Sequence, residues 1–307
     1  MKIKIFSPAT IGNVGPGFDV LGVAIDGLGD IVIAEKIAEK KFEFIPDKDF
    51  PDLPSDDRNV VCHVAKLVSA EYGVTEGIRI TLKKNIPLSS GLGGSAASSA
   101  AAAFAVNELL GGRLTRQQLI PFAVEGERLA SGSMHADNVA PALLGGLCLL
   151  SGDHDKPQNV TQLPLSNIFY WTVVHPHFEL ETRVMRSVLP KTITLSEHTT
   201  QSGYFGLLLS GLLVGNSEWV RQGLCDLIIE PKRASFIPGF DAAREAALKA
   251  GALGFSISGA GPSVFAISDT QMNAERVAIA IQIAFKQSDL DSDVFISKTN
   301  LTGTKRI

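Results

Sequence analysis

Apolar and polar residues alternate over residues 2–6, 20–25, 29–35 and 78–82, the period of half-buried strands. Ser7-Pro8 breaks the first of these, and Asp26-Gly27 between the next two reads as a hairpin turn. A short strand is expected at 42–45, followed by a polar surface connection over 46–57 that contains Pro46, Pro51 and Pro54. Val60, Val61, Val64, Leu67 and Val68 recur at helical spacing and predict a helix over 59–72. The alanine-rich run 95–109 predicts a second helix, and Thr115 is placed to cap a third that reaches 129. A strand is expected over 143–150, then a polar, turn-prone segment over 152–164.

The second half opens with a strand at 169–174 and continues through helical stretches at 182–188, 201–215, 218–228 and 241–250. Strands at 254–257 and 263–267 flank a glycine loop, and a helix at 272–285 and a strand at 293–297 follow. Strand and helix alternate loosely rather than in strict βαβ units, which predicts an α+β fold. At 307 residues the chain exceeds the usual size of one core, so two domains are expected, 1–152 and 153–307.

Composition narrows the function classes. Apolar residues at 45% and charged residues at 20% are ordinary for a soluble globular protein. A net charge of −4, with no basic run longer than Lys40-Lys41 or Lys83-Lys84, argues against nucleic-acid and membrane-surface partners. The most apolar run, 204–215, is too short to span a bilayer, and residues after Met1 lack the apolar core of a signal peptide. Cys62, Cys148 and Cys225 sit in apolar surroundings and read as buried thiols of a reducing compartment. His175 and His177 flank Pro176 without an acidic or cysteine partner at metal-ligand spacing. A cytoplasmic location is expected.

The candidate chemistry centres on Pro87-Leu88-Ser89-Ser90-Gly91-Leu92-Gly93-Gly94-Ser95-Ala96-Ala97. A strand, a glycine loop and a helix N-terminus in that order make an anion site, with phosphate the first candidate. A tight turn before a closely packed small-residue helix would read the same way. Gly91-x-Gly93-x-x-Ala96 also matches a dinucleotide-binding variant, although the stretch after it reads as helix rather than the required second strand. Three polar clusters accompany the loop: Asn13 with Asp19, His135-Ala136-Asp137-Asn138, and Ser258-Gly259-Ala260-Gly261-Pro262-Ser263. Taken singly, each reads as turn, cap or hairpin as readily as a site.

Taken in order, the early Asn-x-Gly-x-Gly-Phe-Asp, the Pro-x-x-x-Gly-Leu-Gly-x-Ser-Ala-Ala loop and the late Ser-Gly-x-Gly-Pro-Ser resemble the three motifs of the GHMP small-molecule kinases. His135-Ala136-Asp137-Asn138-Val139-Ala140-Pro141-Ala142 and Ile229-Glu230-Pro231-Lys232-Arg233 narrow the resemblance to the branch of that superfamily that phosphorylates L-homoserine. The resemblance runs over residues 2–268. It implies the two-domain GHMP kinase fold, an N-terminal ribosomal-protein-S5-like domain that binds ATP and a C-terminal ferredoxin-like α/β sandwich that binds the substrate. By the same resemblance ATP lies on residues Pro87 to Ala97, with Asn59 beside the adenine, and Mg²⁺ is held by Ser95 and Glu127, both hard oxygen donors. One departure stands in the loop, where Gly94 replaces the serine common in the family.

Asn13, Asp19, His135, Asp137 and Asn138 are then expected around the substrate's polar ends, and Thr182, Arg186 and Arg233 at its carboxylate, which an arginine fork suits. Asn138 and Arg186 stand at the chemistry. Asn138 occupies the place where some members carry an aspartate base, and an amide takes no proton at neutral pH, so direct in-line transfer is expected. The implied product is O-phospho-L-homoserine, a step of threonine biosynthesis, and the implied assembly is a homodimer. A sibling kinase acting on another small alcohol is the alternative. A silent binder of the same fold has little use for both Ser95 and Glu127.

Overall fold

The computed structural model describes residues 1–50, 53–74, 77–132, 134, 136–152 and 159–307. Its first sheet is built on two long antiparallel strands, β1 (Lys2–Gly12) and β2 (Leu21–Lys36). β1 does not end at Ser7-Pro8 as its sequence suggests. Pro8 stands where the register shifts, from Pro8 opposite Gly29 to Thr10 opposite Ala24, and at such a bulge the missing amide costs no ladder bond. The same bulge absorbs Asp26-Gly27, which turns no hairpin. β2 runs through it, with Gly27 at φ 84°. Asn300 Nδ2 donates to Asp26 Oδ1 at 2.6 Å and fixes the bulge from outside.

β3 (Phe42–Ile45) lies parallel to β4 (Ile78–Lys83), which pairs with β2. The other end of β2 takes β5 (Leu147–Ser151), and β5 takes β6 (Asn159–Leu163). The expected strand at 143–150 begins later, because a short helix over Val139–Leu144 occupies its start. β6 falls in the stretch expected to be a polar connection, since a half-exposed edge strand carries no apolar alternation, and it takes the first sheet beyond residue 152. Residues 153–158, where the second domain is expected to begin, lie outside the described residues. A short strand, β11 (Lys305–Arg306), returns to the free side of β1.

One face of this sheet is covered by α1 (Val60–Glu71), α2 (Gly94–Leu109), α3 (Arg116–Ser131) and α4 (Val139–Leu144). Asn59 caps α1 by accepting from the Val61 amide at 2.9 Å, and Thr115 caps α3 in a reciprocal box with Gln118. α2 is nearly all alanine and serine where it meets β1, β2, α1 and α3. With side chains that small, neighbouring backbones approach closely on every side.

The second half carries α5 (Thr182–Ser187), α6 (Leu195–Val214), α7 (Ser217–Gly223) and α8 (Glu230–Arg233). α6 starts six residues before the expected 201. Its first turns are polar and exposed, and the Thr194–Glu197 capping box, not an apolar stripe, sets its start. α7 stops at Gly223 rather than 228, because there the helix presses on α6 so closely that a Cβ would lie 2.2 Å from the Leu208 amide nitrogen. The second sheet is antiparallel, in the order β10 (Ser292–Ser297), β7 (Tyr170–Pro176), β9 (Val264–Ser268), β8 (Gly254–Ile257). α9 (Phe240–Lys249) and α10 (Gln271–Lys286) cover it. This is the expected α+β architecture.

Three apolar clusters fill the molecule. One lies under the first sheet and one between the second sheet and its helices. The third joins the halves: Ile11, Val23 and Leu147 from the first sheet pack with Trp171, Phe265, Leu208 and Leu212 from the second half. Cys62 and Cys148 are buried free thiols, and burial pushes both up to about 12, which leaves them unreactive.

Beneath the start of α2, Lys84 and Asp30 form an ion pair with side-chain exposures of 5% and 0%. Asp30 also accepts from the Asn85 and Ile86 amides at 2.9 and 3.0 Å and from Ser98 Oγ at 2.6 Å. Removing one partner of such a pair strands the other charge. Lys84→Met is expected to lower stability by about 3 kcal/mol or more in urea denaturation, and Asp30→Asn in the same chain to recover most of that loss.

Candidate active site

The glycine loop leads from β4 into α2. Gly91 at φ 79° and Gly93 at φ 64° take conformations that side chains resist, and neither has room for one. A Cβ on Gly91 would lie 2.5 Å from Ser258 O, and one on Gly93 would lie 2.0 Å from Thr10 Oγ1. Donors from behind engage three loop carbonyls: Ser263 N reaches Ser90 O at 3.1 Å, Ser258 Oγ reaches Gly91 O at 2.8 Å, and Thr10 N reaches Leu92 O at 3.1 Å. Gly93 stands at the N-cap of α2 with no side-chain hydrogen bond to its amides. A sixteen-residue helix therefore starts at the cavity with its positive end uncapped.

That cavity, of about 530 Å³, is lined by Pro87 to Gly91, by Gly93 to Ser95, and by side chains from both halves of the chain. Asn59, Glu127, Asp137 and Asn138 reach it from the first half, Thr182, Arg186 and Arg233 from the second, and Asn13 and Asp19 from the loop after β1. Among the described residues the sequence-predicted set thus converges on one space, with three exceptions. Leu92, Ala96 and Ala97 are fully buried in the apolar clusters behind the loop and do not line it. His135 lies outside the described residues.

Ser95 opens the first turn of α2, and Glu127 lies across from it on α3. A hydrogen bond from Ser95 and the charge of Lys84 favour the ionised Glu127 carboxyl, but burial outweighs both and raises its pKa. Among the described residues, Glu127 Oε1 is buried with no hydrogen-bond partner. A carboxylate oxygen so placed fits a hard cation.

At the other end of the cavity, Asn13 and Asp19 both take left-handed backbone, at φ 56° and 58°. Asn13 Oδ1 accepts from the Asp19 amide at 2.7 Å, and Asn13 Nδ2 donates to Gly259 O at 3.1 Å. The Asp19 carboxylate is gripped by both Arg186 terminal nitrogens, at 3.0 and 2.9 Å. Arg233, only 2% exposed, donates to Gly259 O at 2.9 Å and to Met185 O at 3.3 Å. Burial, then the neighbouring Arg186, lowers its pKa to about 10, so it remains charged at neutral pH. Both guanidinium carbons stand 5.3 Å from the centre of the Phe18 ring, within cation–π range of its face. Asp137 is buried beside Asp19, and burial, Asp19 and Glu127 together raise its pKa to about 7.

Two residues at or behind the cavity wall, Lys84 in the lining and Thr10 buried behind the glycine loop, carry no signal that the motif reading uses. Lys84 reads in sequence as half of a short basic run, and its pairing with Asp30, 54 residues away, becomes visible only in the fold. Thr10 reads as a residue of the loop after the first strand. Gly94, the departure in the loop, has Lys84 Nζ 2.9 Å from where a Cβ would stand, so the missing side chain leaves room for that ammonium.

Residues 59–146 match the family model for the GHMP kinases N terminal domain, and residues 208–287 match that for the GHMP kinases C terminal domain. A homoserine kinase of Chlorobaculum tepidum is 45% identical over 316 residues, which covers 98% of this chain and 97% of that protein. A homoserine kinase of Xylella fastidiosa strain M12 is 40% identical over 306 residues, covering 99% and 94%. The crystal structure of homoserine kinase from Cytophaga hutchinsonii superposes with a TM-score of 0.95 at 44% identity, covering 100% of this chain and 97% of that one.

The raised Asp137 carboxyl makes stability depend on pH. Its pKa moves from 3.8 to about 7 on folding, so the folded chain keeps a proton that the unfolded chain has lost. That costs stability progressively as pH rises from about 4 to about 7 and levels off above. Asp137→Asn is therefore expected to melt several degrees above the parent at pH 8, with a margin that shrinks toward pH 5, as read by calorimetry across pH.

Proposed function

The chain belongs to the GHMP kinases and, within them, to the homoserine kinases, and from that premise we propose how its cavity transfers phosphate from ATP to the hydroxyl of L-homoserine. One observation carries the reading. A single cavity joins the uncapped start of α2 and Glu127 at one end to Asp19, Asp137, Arg186 and Arg233 at the other. The first end suits a polyphosphate and the second a zwitterion, and a hydroxyl on the zwitterion's side chain then faces the terminal phosphate between them.

The phosphates lie on the amides of Gly93 to Ser95, with the adenine toward Asn59 and its neighbours Leu53, Pro54 and Val60 on the same wall. Ser95 and Glu127 fit a Mg²⁺, since the pair offers a hydroxyl and a buried carboxylate oxygen without a partner among the described residues. Bound there, Mg²⁺ would neutralise charge building on the phosphate oxygens. The amino acid's carboxylate meets Arg233 and Arg186, with Thr182 at the rim, and its ammonium meets Asp19 and Asp137. Arg186 and Asp19 are paired with each other, and a zwitterion supplies both with new partners in one step.

Asn138 stands between the two ends and takes no proton, so the chain's contribution is alignment rather than deprotonation of the hydroxyl. Asp137 binds the ammonium best when ionised. With its carboxyl at about 7, substrate affinity is expected to weaken as pH falls below neutrality. The reading includes a cytoplasmic enzyme, a place on the route to threonine and a homodimeric assembly, as the family resemblance implies.

The test is ADP release from Mg-ATP with L-homoserine, mevalonate and galactose in separate reactions. Homoserine is expected to exceed the others by orders of magnitude, and no turnover of it overturns the reading. Glu127→Gln is expected to lower kcat about 100-fold or more. Asn138→Asp is expected to change the rate with a new dependence on pH, and a rate unchanged at every pH would remove Asn138 from the chemistry.

A further inference from the structure

Asn138 holds the N-cap position of α4 but does not cap it. No hydrogen bond runs from its side chain to the helix amides. An asparagine there ordinarily turns its carbonyl oxygen onto the amides two or three residues on, and helices begin with asparagine for that reason. Here the oxygen is engaged elsewhere. Thr10 Oγ1, on β1 and wholly buried, donates to Asn138 Oδ1 at 2.8 Å.

Thr10 follows the point where the β1–β2 register shifts, and a bulge of this kind re-aims the side chain beside it. Its amide nitrogen donates to Leu92 O in the glycine loop. Gly93 must lack a side chain for the contact to exist, because a Cβ there would lie 2.0 Å from Thr10 Oγ1 and 2.9 Å from Asn138 Oδ1. One threonine thus touches the phosphate loop through its backbone and the Asn138 amide through its hydroxyl.

The geometry points to Thr10 as a positioning residue for the phosphoryl transfer, one that fixes which end of the Asn138 amide meets the reacting groups. The inference rests on the reading that places Asn138 beside the substrate hydroxyl. The two ends of a primary amide are opposite in character, one donating and the other accepting. With Oδ1 held by Thr10, the Nδ2 end faces the Asp137 carboxyl, 3.4 Å from its Oδ2. Without the hydroxyl, Asn138 is released to its ordinary capping habit or to a flipped amide, and a flipped amide would set its carbonyl against the Asp137 carboxylate. In both cases the donor end leaves the place where it can hold the substrate oxygen in line.

The experiment is a mutant cycle on the full chain, with steady-state kinetics for ATP and L-homoserine and a thermal melt for each variant. Thr10→Val keeps the shape and removes the donor. It is expected to lower kcat about 10-fold while both KM values stay within about twofold, and Thr10→Ser, which retains the hydroxyl, is expected to stay near the parent. In an Asn138→Ala background, Thr10→Val is expected to add nothing, since there is no amide left to orient. Should Thr10→Val not fold, Thr10→Ala carries the same expectations without the added methyl. The inference is overturned if the valine or alanine variant keeps full kcat, if serine is as poor as valine, or if the loss is undiminished in the Asn138→Ala background. Full kcat in Asn138→Ala alone overturns instead the placement of Asn138 on which the inference rests.

Discussion

Three backbone segments meet around the glycine loop so closely that no side chain fits between them. Gly91 lies against Ser258 and Gly261, the Gly259 amide donates to the Gly12 carbonyl, and Gly93 lies against Thr10. The segments come from the first strand, the loop before α2 and the turn between β8 and β9, and they are far apart in sequence. Contacts between backbones have few degrees of freedom, so the relative position of these segments is set more tightly than long side chains could set it. The start of α2, the Asn13–Asp19 turn and Arg233, bound to Gly259 O, all inherit that precision.

The site carries many charges for its size, and they divide into two kinds. Asp30 with Lys84 and Asp19 with Arg186 neutralise each other in close geometry. Glu127 and Asp137 are not neutralised, and burial raises both above the usual carboxylate range. An acid left in that condition costs folding free energy, and the cost is relieved when a cation arrives. The first kind keeps the frame in place, while the second gives the cavity its affinity. Stability and binding therefore pull against each other at Asp137.

Much of this is legible in the sequence alone. Gly91, Gly93, Ser95, Asp137 and Arg233 sit in short motifs whose order along the chain carries the kinase resemblance, Glu127 follows from that resemblance, and the fold brings them to one cavity. Helix caps at Asn59 and Thr115 stand where local residue chemistry places them. What escaped the sequence is whatever depends on a distant partner. Asp26-Gly27 has the local signature of a hairpin, and only the pairing of β2 with β1 on both sides of it makes it a bulge. β6 is polar because it is an edge, and Leu92, Ala96 and Ala97 turn inward because the loop is backed by two apolar clusters. Lys84 and Thr10 owe their roles to Asp30 and Asn138, each many residues away.

The apolar seam between the two halves bears on the word domain. Ile11, Val23 and Leu147 share one continuous interior with Trp171, Phe265 and Leu208, all buried to within 1% exposure. Surfaces of that kind are not exposed one side at a time, because pulling the halves apart would put both faces of the seam into water together. The two sheets are thus distinct in architecture and joined in thermodynamics. Neither half has a complete interior of its own, and the cavity they share lasts only as long as the whole chain stays folded.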